Sequence, residues 1–156
     1  MKKKLSFDYD KESGVMIAQL RVGGKTYFGT AVKHPDDPFP PSFSVGEKIA
    51  GARAYISMYN DKLEEKRIEL KGVKRILNSM PLDNPGTIYV FGLLNALNKE
   101  YENLLYEREE YRKSIRTAIE ARELYIRSRT TNKEERDKIL NQIGESFKQL
   151  SQDKNN

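Results

Sequence analysis

Between Leu94 and Tyr125 apolar residues recur in steps of three and four: Leu94, Leu97, Tyr101, Leu104, Tyr111, Ile115, Ala118 and Tyr125. This a/d ladder predicts a long amphipathic helix over 93–129. The positions between the rungs are mostly Glu, Lys, Arg and Asn, so the apolar seam needs a partner. Two rungs depart from the pattern. Arg108 and Arg122 stand where Leu or Ile is expected. Whatever covers the seam must either accept two guanidinium groups or leave them to something anionic.

An earlier ladder, Val45, Ile49, Ala52, Ile56, Tyr59, Leu63, Lys66, Leu70, Val73 and Leu77, predicts a helix over 44–78. Ser42 or Ser44 is placed to cap it, with Glu47 completing a capping box from Ser44. Lys66 is its one charged rung. Gly46, Ala50, Gly51, Ala52 and Ala54 leave room for another backbone to approach. Gly72, inside the helix, costs about 1 kcal/mol relative to Ala. Ser79–Gly86, with Pro81, Asn84 and Pro85, breaks the pattern and turns the chain. Thr87–Phe91 is β-branched and aromatic, and reads either as a short strand or as an extended lead into the second helix. The two ladders then form an antiparallel hairpin. A third pattern, Ile139, Leu140, Ile143, Phe147 and Leu150, predicts a shorter helix over 132–150, capped from Thr130–Asn132.

Residues 4–34 alternate with period two. Two turn signals, Asp10–Gly14 and Gly23–Gly24, divide them into three strands. A meander this small needs cover on one face. His34–Pro41 holds four prolines and reads as a stiff connector. Asp36 and Asp37 within it fall short of the roughly 6–8 oxygens of a calcium site, and serve instead to bond nearby backbone N–H groups. The expected fold is α+β: one domain over 1–156, a small antiparallel meander, a long helical hairpin and a short C-terminal helix, assembled as an oligomer.

Composition narrows the chemistry. The 156 residues include no cysteine and one histidine, His34. Thiolate nucleophiles, disulfides and Cys-based zinc sites are excluded, and neither a His-rich metal site nor a Ser-His-Asp triad is expected. Lys2–Lys4 is not followed by an apolar signal-peptide core, and no run approaches the roughly 20 residues of a membrane span. The chain is expected in the cytoplasm, without cofactor or metal. Glu64–Glu65 and Glu109–Glu110 read as solvated helix charge rather than catalytic pairs. No phosphate-loop, dinucleotide, zinc-protease or nucleophile-elbow motif occurs, and Val22–Lys25 sits in a hairpin with no helix after it. An enzyme is not expected.

The basic residues of the second helix carry the better signal. Arg108, Arg112 and Arg116 share a stripe bordering Tyr101, Tyr111 and Ile115, with Arg122 farther along. Arginine forks suit phosphates and stack on bases. The same residues also suit interhelical pairs with Glu. Tyr89 and Phe91, beside the turn, either stack a base or pack into the turn. The net charge of +5 is modest for a nucleic-acid binder.

The run Tyr27–Asp37 and the segment Phe43–Ala54 spell G-x-A-x-x-H-P-D-D followed by F-x-x-G-x-x-x-A-x-x-R-A. Over roughly residues 4–129 the chain resembles the type-one Thoeris anti-defence proteins, phage sponges that sequester cyclic ADP-ribose signals made by bacterial TIR-domain enzymes. The resemblance implies a homo-oligomer in the host cell cytoplasm that holds its nucleotide between protomers without cleaving it. For some members it extends to cyclic dinucleotides. The expected ligand-binding set, chosen by residue type and place, is Arg53, Arg67, Tyr89, Phe91, Asn95, Arg108, Arg112, Arg116 and Arg122, with Asn95 or Asn98 addressing ribose or base edges. A helical module that inhibits a host or phage protein is the rival reading. A nucleic-acid binder with steep salt dependence is the third.

Overall fold

The computed structural model describes residues 1–33, 45–128 and 133–152. Three strands, β1 (Lys3–Asp10), β2 (Val15–Val22) and β3 (Lys25–Val32), are followed by α1 (Val45–Ser79), α2 (Gly86–Ser128) and α3 (Lys133–Gln152). The fold is α+β. The expected capping serines, the proline connector with Asp36 and Asp37, and the Thr130–Asn132 cap lie outside the described residues. The chain forms two compact units, Met1–Ser57 with Tyr111–Asn156, and Met58–Glu110.

In the first unit the sheet is an antiparallel meander in the order β1-β2-β3. Its turns follow from glycine. Gly23 and Gly24 both take positive φ, 54° and 82°, which matches a two-residue turn to the strand twist. Gly14, at φ 68°, donates its N–H to the Asp10 carbonyl oxygen at 2.9 Å. The Asp10 carboxylate also accepts from the Ser13 hydroxyl at 2.5 Å and the Glu12 N–H at 3.1 Å, and these bonds, Ser13 first, hold it below the usual carboxylate range.

Alternation in β2 places Met16, Ala18, Leu20 and Val22 on the covered face. Register sets Leu5 opposite Leu20 on one side and Tyr27 opposite Leu20 on the other. Helix α1 lies on this face through its small residues. A Cβ on Gly29 would collide with the Ala50 carbonyl oxygen and the Ala54 amide nitrogen, and one on Gly51 would meet the Phe7 ring at 3.4 Å. Only hydrogen at position 29 lets strand and helix backbones touch. Ala118 and Ala121 of α2, and Ile143 and Leu150 of α3, are buried in the same unit.

The second unit, Met58–Glu110, holds the C-terminal part of α1 and the N-terminal part of α2. Met58, Tyr59, Leu63, Leu70 and Leu97 are buried. Lys66, the charged rung of α1, is matched across the pair by Glu100 at 2.6 Å, with Glu69 at 3.2 Å on its own helix. None of the expected rungs of either long helix is fully exposed.

One expectation fails. Thr87–Phe91 is neither strand nor extended lead, because α2 already begins at Gly86. The Asn84 side chain accepts the Gly86 N–H at 2.8 Å, the Asn84 carbonyl accepts the Thr87 N–H at 3.0 Å, and Pro85 sets φ at the entry. Thr87, buried, returns its hydroxyl to the Pro81 carbonyl oxygen at 3.0 Å. Capping chemistry outweighs the β propensity of Ile88, Tyr89, Val90 and Phe91.

Candidate functional site

The nine expected binding residues divide between the two units. Arg53, Arg112, Arg116 and Arg122 belong to the first, and Arg67, Tyr89, Phe91, Asn95 and Arg108 to the second.

In the first unit, Arg53 is exposed on α1, and its Nη1 donates to the Thr30 carbonyl oxygen of β3 at 2.7 Å. That bond ties helix to strand beside the Gly29 contact, so Arg53 is part of the scaffold. Arg112 and Arg116 are exposed, one turn apart on α2. Arg122 is half-buried, and its Nε is buried with no hydrogen-bond partner. A buried donor left without an acceptor costs about 1–3 kcal/mol. From Tyr111 to Ser128 α2 carries five bases against two acids, Glu120 and Glu123, a net +3. At the head of this basic stretch Tyr111 stacks on Tyr55, with ring centroids 4.6 Å apart and planes within 6°. The Lys3 ammonium sits 5.8 Å from the Tyr55 ring centre. Tyr55 was not among the expected residues. Its signal was its place directly before the rung Ile56.

In the second unit, Arg67 is already engaged. Its Nε and Nη2 donate to the two carboxylate oxygens of Glu64, at 2.9 and 2.8 Å, and this bond to Arg67 holds Glu64 below the usual carboxylate range. Arg108 is half-buried, and its Nη1 donates to the Asn60 side-chain oxygen at 2.9 Å, not to a glutamate. Its Nε is buried without a partner. Tyr89, Phe91 and Asn95 are exposed on the first turns of α2, so the two aromatics do not pack into the turn. An open groove of about 400 Å³ between the helices is lined by Glu65, Glu69, Glu100 and Glu107 against Lys62 and Lys66. Its acidic balance disfavours a diphosphate.

Among the described residues no group of three or more acidic, His or Cys side chains is placed to hold a metal ion. Among those residues, too, no helix is long and apolar enough to cross a membrane. The basic part of α2 lies next to the Tyr55–Tyr111 pair, and arginine side chains of this kind suit anions. No protein-family model, curated protein or solved structure matches this chain.

Proposed function

We propose that this protein binds and sequesters a cyclic nucleotide signal without cleaving it, as a homo-oligomeric phage anti-defence sponge acting in the host cytoplasm. Cyclic ADP-ribose isomers are the first candidates, with cyclic dinucleotides next. The observation that carries this reading is the basic segment of α2 in the first unit. Arg112 and Arg116 are exposed there, and the Arg122 Nε lacks an acceptor. A diphosphate supplies the acceptors that arginine forks prefer, and the Tyr55–Tyr111 pair offers an aromatic neighbour for a base. The resemblance to type-one Thoeris anti-defence proteins adds support, since its motif residues Gly29, Ala50, Arg53 and Ala54 are those that join β3 to α1. Arg67, paired with Glu64, and the acidic groove stand outside the proposed site.

The test is a thermal-shift panel of cyclic ADP-ribose isomers and cyclic dinucleotides on the full chain, with mass spectrometry of the ligand released on denaturation. A raised melting temperature with the ligand recovered intact supports the sponge. Arg112→Ala and Arg116→Ala should abolish retention with assembly unchanged. No shift for any nucleotide sinks the reading and leaves the protein-interaction module in its place.

A further inference from the structure

The hairpin end of the second unit is built unlike the rest of the chain. A third of all residues, 33%, are charged, yet from Asn84 to Asn98 none is. Across the hairpin end, from Ile76 to Leu93, Ile76 is 54% exposed, Leu82 97%, Ile88 81%, Tyr89 78%, Phe91 50% and Leu93 42%. At about 200 Å² for a whole large side chain, these fractions leave roughly 800 Å² of apolar surface open. That exceeds the ~300–600 Å² of the largest patch on an ordinary monomer, and equals the ~800 Å² one partner contributes to a standard interface. A helix apolar on all sides belongs in a covered place. On α2 the inner side is taken by Thr87 and Leu97, with Val90 and Leu94 half-buried, while Ile88, Tyr89, Phe91 and Leu93 are exposed.

We infer that the hairpin end, residues 76–93, is a self-association surface that a second copy of this chain covers through its own hairpin end. Charge selects this occupant. Between Glu69 and Glu102 four acids balance four bases, so the region is neutral while the remainder of the chain carries the whole +5. Two copies meet there without net repulsion, and mixed signs on the rim allow each copy's acids to face the other's bases across a two-fold axis. A strongly acidic or basic partner would find no matching field. This inference shares the homo-oligomer with the proposed function and adds the surface that forms it, but it does not rest on the nucleotide, because the apolar surface needs cover whether or not a ligand binds.

The experiment is sedimentation of the wild-type chain and of the double variant Ile88→Asp/Tyr89→Asp. Both substitutions fall in the first turn of α2, where acids are tolerated by the helix dipole, so folding is retained and is checked by circular dichroism. The wild type should sediment at an even multiple of 18.1 kDa. The double variant should fall to a smaller species, with association weakened about 100-fold or more. Because the chain has no cysteine, Tyr89→Cys should form a disulfide-linked pair on mild oxidation, whereas Lys148→Cys on α3 should not. A monomeric wild type at high concentration overturns the inference. An assembly unchanged in the double variant does the same.

Discussion

The Lys66 ammonium on α1 lies 2.6 Å from the Glu100 carboxylate on α2, so the one charged rung of the first ladder is answered by a charge from the facing helix. The hydrogen bond to Glu100, with Glu69 adding, raises the pKa of Lys66 above the ordinary lysine value. A raised folded pKa contributes stability in full below the unfolded value, about 10.4, and loses it as pH rises through the folded value. The unfolding free energy of wild type minus Lys66→Met should stay constant from about pH 7 to 10, then move against wild type above that. The pH-dependent part should be about 1 kcal/mol or less, as for other partly exposed pairs. Denaturant titrations across that range check it, and a flat difference beyond pH 11 (roughly) would remove the pair from the energetics.

Gly29→Ala should destabilise the first unit by about 3 kcal/mol or more, because the added methyl meets helix backbone rather than a movable side chain. Gly72→Ala should act in the opposite direction. It is a helical position with nothing within 4 Å of a new Cβ, and the substitution should stabilise by about 0.5–1 kcal/mol. Chemical denaturation of the two variants side by side gives both signs. Equal effects would contradict the contact described between β3 and α1.

Asn84→Ala removes the acceptor of the Gly86 N–H and should cost about 1 kcal/mol. Asn84→Asp should retain most of the cap. Helix content measured by circular dichroism should fall slightly in the alanine variant alone.

Arg122→Leu separates function from fold. A leucine fits the ladder and relieves a buried donor without a partner, so the variant should be as stable as wild type or more stable by about 1–2 kcal/mol. It should also lose nucleotide retention. A lower melting temperature with retention unchanged would make Arg122 a structural residue.

The sequence carried much of the fold on its surface. The meander was legible because Gly14, Gly23 and Gly24 stand where positive φ is needed and because alternation in β2 is unbroken. Both helical ladders were legible because burial follows heptad spacing. The start of α2 was not legible in the apolar, β-branched run after Gly86, because the Asn84–Pro85 cap outweighs β propensity there. The site was harder to read. Residue type could nominate Arg53 and Arg67 as ligand groups, but it could not tell that the Thr30 carbonyl and the Glu64 carboxylate already take their donors. Such pairings depend on which side chains the helices bring within 3 Å (approximately), a distance that spacing along a chain does not encode.

The contact at Gly29 also bears on how the first unit opens. At Gly29 the β3 backbone rests on Ala50 and Ala54 with no side chain between them, and Arg53 bonds Thr30 beside that point, so strand and helix are pinned together there. Amides of β2, β3 and the Ile49–Ala54 turns should therefore exchange their hydrogens as one cooperative block, slowed together and released together. The exposed Gly23–Gly24 turn should exchange ahead of that block, on its own clock.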